Sequence, residues 1–524
     1  MAGSVPEDAI DRAADAVIGP VIDPAWVDEL LLSGPADQVA LVFDAPVTRG
    51  ELRRLVAAKQ AVLASAGLGH NDAGGPGGSV ALCLAPSLAF VTNLLACWRL
   101  GARVALLDHR LTAFEIDAAL RRLAPQVVVS ALHAAGGPLR GFHDVEERVA
   151  TYPGRPADTA HALIQLSSGS TGPSKVIART AANLVEELER YAKIGPGVPQ
   201  PDERIVSLAS MVHVLGLVGG LLYGLHVGAQ VVVPARMTVD GILAAVAAGP
   251  EPTTILGVPF HIELLSSVRQ PMKLPQLSGM TTGGELVRAE VYNGFVERYG
   301  VRLGNMYGMT EVGVIATDLF GEHRPSLTPA PGLTVREEAG ELLVSLAASP
   351  YLGLSDPARW ARGWLHTKDA GTVDPLTGRF RIQGRRDSQV SVGGLKVDLT
   401  EVEHTLAALP GVAAAVVTFD KAIEAYVMLR DGTTAAGVQG ALAERLAAFK
   451  RPRVLRVVDQ LPRTATGKLV RDRSALLATP VVPPEPPPVP GSVAETAIRP
   501  HTDVTDGAAA LAAPASVQEG NTSR

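Results

Sequence analysis

The sequence predicts an α/β protein: a large N-terminal region of layered sheets and helices, followed by a small α+β domain. Three observations predict it. Short β-branched runs alternate with longer alanine- and leucine-rich stretches from about Gln38 to Leu477. The texture changes near Gly384, where a short series of helix, two strands, helix and strand begins. A chain of 524 residues, 47% hydrophobic and 19% charged, can bury a large core, and its length suggests more than one domain.

Taken in order, the strand candidates of the large region include QVALVF from Gln38, QVVVSAL from Gln126, ALIQL from Ala162, AQVVVP from Ala229 and TTILGVP from Thr253. Strands alternating with helical stretches at this spacing argue for α/β layers rather than a sandwich or a bundle. Past Gly384 come a helix at VEHTLAALPG, strands at VAAAVVTF and IEAYVML, a helix at GVQGALAERLAAF and a strand at RVLRVV. The polar stretch GRRDSQ precedes this unit, so the domains are expected at 1–386 and 387–478, with the boundary at Asp387. Residues 479–524, starting TPVVPPEPPPVPGS, cannot bury enough apolar area to offset the cost of ordering. They are expected to be a disordered, proline-rich tail.

Composition excludes several classes. A net charge of −6 leaves no electrostatic footprint for nucleic acid or an anionic membrane. The N-terminus lacks a basic segment followed by an apolar run. The longest apolar stretch, Met211 to Leu225, is interrupted by His213 and glycines and falls short of the ~20 apolar residues of a membrane span. A cytoplasmic protein without membrane insertion is expected. Cys83 and Cys97 lie in apolar surroundings and read as buried structural thiols, neither nucleophiles nor metal ligands.

Chemistry is carried by five short segments. Ser167-Ser168-Gly169-Ser170-Thr171-Gly172-Pro173-Ser174-Lys175 follows a strand-like run. Glycines let consecutive N–H groups point inward around anionic oxygens, hydroxyls add donors, and Lys175 adds charge. The segment is not the G-x-x-x-x-G-K-[ST] loop of P-loop NTPases, and alone it also reads as an ordinary turn. In Asn305-Met306-Tyr307-Gly308-Met309-Thr310-Glu311, a tyrosine can stack on a purine, a threonine can donate to a phosphate and a carboxylate can hold Mg²⁺. Gly363 to Gly371 reads as an exposed turn whose Asp369 could grip ribose hydroxyls. Gly384-Arg385-Arg386-Asp387 leads to Val392-Gly393-Gly394-Leu395-Lys396-Val397 and Glu401-Val402-Glu403. Leu461-Pro462-Arg463-Thr464-Ala465-Thr466-Gly467-Lys468 comes last.

Together these segments resemble the superfamily of acyl-CoA synthetases, nonribosomal-peptide adenylation domains and luciferases, in the family's order and spacing, over roughly residues 38 to 475. The look is that of stand-alone acyl- or aryl-CoA ligases. The resemblance implies roles. Residues 167–175 would wrap the β- and γ-phosphates of ATP. Gly283, Gly284 and Glu285 would line the nucleotide and acyl pocket, Tyr307 would stack on adenine, Thr310 would contact the α-phosphate, and Glu311 would bind Mg²⁺. Asp369 and Arg385 would hold the ribose, Asp387 would be the hinge of a mobile small domain, and Lys468 would be the adenylation lysine. Rotation of that domain would bring Gly393 and Gly394 to the acyl-adenylate as a thiol tunnel, although Gly-Gly also reads as a plain hairpin.

Attack of a carboxylate on the α-phosphorus joins two anions, so a cation and a lysine aimed at the developing charge are what the step needs. Departures from the family pattern are Ser174 and Val176 around Lys175, Ala181 after the threonine, Lys368 before the ribose aspartate, and Lys396 in place of arginine. None removes a residue needed for adenylation.

The segment Ser210 to Leu217 resembles the family's acid-pocket motif, with His213, Val214 and Gly216, together with Gly308, as candidate pocket residues. His213 equally fits a hydrogen-bonded core position. No aspartate of the kind used by amino-acid domains appears in that segment, so an aryl or aliphatic acid is expected rather than an α-amino acid. CoA is the first expected acceptor; a carrier-protein phosphopantetheine and an amine are alternatives. A catalytically silent regulator would be expected to lack Lys468 or Glu311, and both are present.

Overall fold

The computed structural model describes residues 24–69, 77–132, 140–167, 175–268, 272–284, 287, 289–386, 388–462 and 473–481. The β-branched runs form the centres of two large sheets. In the first, nine strands lie in the spatial order Thr328–Pro329, Gly313–Asp318, Arg302–Met309, Leu277–Gly283, Thr253–Gly257, Arg204–Ser207, Gln230–Val232, Val39–Val42 and Pro46–Thr48. The strands from Arg302–Met309 through Val39–Val42 are mutually parallel, and the edges are antiparallel. The second has six strands, ordered Glu147–Thr151, Val127–Ala131, Ser79–Cys83, Arg103–Leu106, His161–Ser167 and Lys175–Thr180. Parallel centres buried on both faces explain why these strands read as continuous apolar runs rather than alternating ones.

One apolar core joins the two sheets through helices. Phe90, Leu94 and Trp98 from Leu88–Arg99 meet Leu184, Leu188 and Tyr191 from Ala181–Ala192 and Leu217 and Leu221 from the π-helical Leu215–Leu222. A five-stranded sheet includes the hairpin of Trp364–Val373 and Phe380–Arg385. Cys83 and Cys97 are both buried and free, and burial pushes the Cys83 thiol up to about 11. Among the described residues no helix is long and apolar enough to cross a membrane.

Beyond Ser388 the chain builds its own core. The hairpin Gln389–Val392 and Leu395–Asp398 leads to the helix Leu399–Ala407, the paired strands Val412–Phe419 and Ile423–Leu429, the helix Ala435–Arg445 and the parallel strand Val454–Val457. Val402, Leu406, Val417, Val427, Val438 and Leu442 are buried together there. The described chain continues past Ala478: Thr479 caps the helix Arg473–Leu477, and Val481 bridges Val458. The described residues therefore include the first three of the expected tail, where Val481 finds a strand edge to pair with. The rest of that tail lies outside the described residues.

Candidate functional site

The site lies beyond the carboxyl ends of the strands His161–Ser167 and Arg302–Met309, one in each large sheet, the position at which open α/β sheets bind ligands. On one side, His161–Ser167 runs antiparallel to Lys175–Thr180 with Ser167 opposite Lys175, so the two ends of the phosphate segment are adjacent. Lys175 is buried. Ser168, Gly169, Ser170, Thr171 and Gly172 lie outside the described residues.

On the other side, Arg302–Met309 folds back as Gly313–Asp318, and Thr310 and Glu311 occupy the turn, half-buried. Gly313 has φ +89°, and a Cβ there would collide with the Glu187 carboxylate. Only glycine satisfies both conditions. Glu187, fully buried on the helix Ala181–Ala192, accepts from the Val314 N–H at 2.9 Å through Oε1 and pairs with Arg179 Nη2 at 2.5 Å through Oε2. Arg179 lies on the strand that begins at Lys175. One buried ion pair thus ties that strand to the Thr310–Glu311 turn. A second tie is Tyr351, whose hydroxyl donates to Glu311 Oε1 at 3.1 Å while its backbone bridges Ile177. Burial, then the Glu311 carboxylate, raises the Tyr351 phenol far above its ordinary value.

Asp369 is not on an exposed turn, as the sequence suggested. It belongs to the ten-residue strand Trp364–Val373, on which Leu365, Thr367, Asp369 and Gly371 face inward, and it is buried. Tyr307 Oη donates to Asp369 Oδ2 at 2.5 Å and Arg385 Nη1 to Oδ1 at 3.2 Å; Asp369 and Arg385 are cross-strand partners. Burial raises the Asp369 carboxyl above its ordinary value despite Arg385 and Tyr307, and burial followed by Asp369 raises the Tyr307 phenol. The three residues expected at adenosine are therefore in contact.

Gly283 ends the strand Leu277–Gly283 against Leu215, and Gly284 follows it with its carbonyl accepting from Lys396 Nζ at 2.7 Å. Gly216 is buried in the helix Leu215–Leu222 and Gly308 lies against Gly313, both tight against backbone. Gly393 and Gly394 form the two-residue turn of their hairpin at φ +57° and +81°, and Gly394 also packs against Val258. Glu285, Asp387 and Lys468 lie outside the described residues.

His213 and Val214 are half-buried. His213 Nε2 is 3.7 Å from Asp108 Oδ2, a residue that sequence reasoning missed. Asp108 follows the strand Arg103–Leu106 and is gripped by Arg110, with Nε on Oδ1 at 2.8 Å and Nη2 on Oδ2 at 2.5 Å. Burial opposes ionisation, but Arg110 and His213 hold the carboxyl well below the usual carboxylate range. The available signal was an LDHR run directly after a buried strand, the place where a parallel sheet presents ligand-facing groups.

The family model for AMP-binding enzymes matches residues 32–340, and the model for their C-terminal domain matches 401–468. The chain belongs to the AMP-binding enzymes. It is 29% identical over 357 residues to a benzoate–CoA ligase of Thauera aromatica, covering 62% of this chain and 67% of that one. A p-hydroxybenzoic acid–AMP ligase of Mycobacterium tuberculosis is 27% identical over 480 residues, 84% of this chain and 66% of the relative. The AMP-binding enzyme thus spans about two thirds of these relatives. Its fold matches an o-succinylbenzoate CoA synthetase from Bacillus subtilis with TM-score 0.71 and 23% identity, over 86% of this chain and 97% of that one.

Proposed function

We propose that this AMP-binding enzyme activates an aryl or aliphatic carboxylic acid with ATP, releases pyrophosphate, and passes the acyl group from the adenylate to the thiol of CoA. The observation that carries the reading is the contact chain from Arg385 through Asp369 to Tyr307, with Glu311 next on the same hairpin and Tyr351 joining it to the strand of Lys175. That is a run of groups for ribose, base, metal-bound phosphate and terminal phosphates along one edge. The aryl-acid relatives favour the same substrate class.

In this reading Asp369 and Arg385 hold the ribose, Tyr307 lies against adenine, Thr310 contacts the α-phosphate, and the Ser167–Lys175 segment with Lys175 wraps the β- and γ-phosphates. Among the described residues no group of three or more His, Cys, Asp or Glu could hold a metal ion. A single carboxylate beside a phosphate segment suits Mg²⁺, which takes most of its oxygens from phosphates and water. Glu311 would hold it, and the cation would neutralise charge on the phosphates. Lys468 reaches the reacting carboxylate from the small domain, 387–478, which turns at Asp387. Gly393 and Gly394 then face the adenylate for transfer to the thiol.

The test is acid-dependent exchange of labelled pyrophosphate into ATP across benzoate, hydroxybenzoates, fatty acids and amino acids, with Lys468→Ala in parallel. Loss of one such donor costs about 100- to 1000-fold in rate. Exchange with aryl or aliphatic acids, lost in the variant, is the expected result. Exchange with amino acids alone would overturn the substrate class, and none with any acid would overturn the function. Acids that support exchange are then offered CoA, a phosphopantetheinyl carrier or an amine to identify the acceptor.

A further inference from the structure

The C-terminal α+β unit meets the large region along the stretch from Arg110 to Glu115. Lys450 Nζ donates to Glu115 Oε1 at 2.8 Å and to Glu401 Oε1 at 2.7 Å, and the Ala447 N–H donates to Glu115 Oε2 at 2.9 Å. Thr112 Oγ1 donates to the Arg445 carbonyl at 3.4 Å, and the Arg110 guanidinium lies 5.7 Å from the centre of the Phe449 ring. The Lys450 and Glu115 side chains are each only 11% exposed. Burial alone would lower the Lys450 ammonium, but Glu401 and Glu115 raise it above its ordinary value.

Glu115 is held ready for this contact. It completes the capping box of the helix Ala113–Leu123: its own N–H donates to Thr112 Oγ1, and its carboxylate accepts from the Thr112 N–H. A helix N-terminus also favours negative charge. With the ion pair made, the Gly393–Gly394 turn rests on Val258 and Lys396 reaches the Gly284 carbonyl. That puts the glycine turn beside the carboxyl ends of the strands Thr253–Gly257 and Leu277–Gly283, where Gly283 packs against Leu215 of the expected acid-pocket segment. Asp108, which Arg110 grips, faces His213, so docking bears directly on the wall of the site.

We propose that Glu115 and Lys450 are positioning residues for the transfer half of the reaction: their ion pair holds the small domain with its glycine turn at the acyl site. The proposal rests on the two-step reading above. It requires the pair to part whenever the domain turns to present Lys468 for adenylation, so weakening it selectively harms transfer.

Glu115→Gln is the clean variant. Glutamine serves equally in a capping box, and Lys450 keeps Glu401 within its own domain, so no charge is stranded. Lys450→Met is harsher, because it leaves Glu115 and Glu401 facing each other without the cation. Lys450→Arg is the conservative control. Hydrogen exchange at the Ala447 amide reads docking without any substrate. Benzoate-dependent pyrophosphate exchange and benzoyl-CoA formation read the two half-reactions.

For Glu115→Gln and Lys450→Met, exchange at Ala447 should rise about tenfold or more while amides of Val412–Phe419 keep their protection. Pyrophosphate exchange should stay within about twofold and thioester formation should fall at least about tenfold, with Lys450→Arg retaining most of it. Unchanged protection at Ala447, or a parallel fall of both half-reactions, would overturn the proposal. If the parent does not activate benzoate, the functional reading fails for that acid, and protection at Ala447 still decides the docking contact.

Discussion

Replacing Glu187 by leucine should destabilise the protein more than any ordinary core substitution, and the structure says by how much. The carboxylate is wholly buried and neutralises Arg179, itself 2% exposed. Removing one partner of such a pair strands the other charge, at about 3–5 kcal/mol. The Val314 N–H loses its acceptor as well, which adds about 1–3 kcal/mol. Glu187→Leu should therefore cost at least about 4 kcal/mol, and Arg179→Met about 3–5 kcal/mol. The double variant removes both charges and should be far less affected, short of the parent only by the orphaned Val314 amide, about 1–3 kcal/mol. Urea unfolding of the four proteins gives the cycle. Additive losses in the double variant, or a single-variant loss below about 1 kcal/mol, would refute the claim that these are two buried charges that compensate each other. The cycle also bears on function, since the same pair sets where the Thr310–Glu311 turn lies relative to the strand of Lys175.

Two further outcomes follow from individual contacts. Tyr351→Phe deletes the hydroxyl that donates to Glu311 and keeps the packing, so the Mg²⁺ concentration for half-maximal pyrophosphate exchange should rise about tenfold, with the unfolding midpoint nearly unchanged. An unaltered Mg²⁺ dependence would remove Tyr351 from any role in orienting Glu311. His261 is buried, its Nδ1 accepts from the Val258 N–H at 3.1 Å, and burial lowers it from 6.5 to about 4. Between those values the unfolded chain binds a proton that the folded chain refuses. The contribution is thus complete above pH 6.5 and is lost as pH falls towards 4, about 3 kcal/mol in all. Denaturation of parent and His261→Asn at pH 7 and pH 5 checks this: the variant should lose less stability on acidification, and equal losses would contradict it.

Much of this molecule is legible in its sequence because local chemistry and tertiary role agree. Thr253–Gly257 is buried along its whole length inside its sheet, and a run such as TTILG is what double-sided burial demands. Gly393–Gly394 is a hairpin turn because two successive positive φ values suit glycine. Legibility fails where a side chain serves a distant partner. Asp369 looked like a turn residue because Thr367, Asp369 and Gly371 replace apolar groups on the inward face of their strand, which erases the period-two signal. Glu187 shares a helix face with Leu184, Leu188 and Tyr191, yet a glutamate beside such a stripe reads as solvated until Arg179 and the Val314 amide are seen beside it. Asp108 and His213 are brought together only by sheet topology, and no local pattern encodes that.

Asp108 bears on substrate choice in a way that single-residue reading would reverse. A buried carboxylate beside a pocket histidine would ordinarily invite a substrate ammonium and so argue for an amino acid. Here Arg110 takes both carboxylate oxygens in a bidentate grip, and the pair carries no net charge into the site. The Arg110 guanidinium is held in turn near Phe449 of the small domain. In the proposed reading a cationic substrate would have to compete with a guanidinium of the chain itself that already matches both carboxylate oxygens, a competition that a neutral aryl or aliphatic acid does not meet. The proposed preference for an uncharged side chain therefore rests on the neutralisation of the aspartate that is present, not on the absence of one.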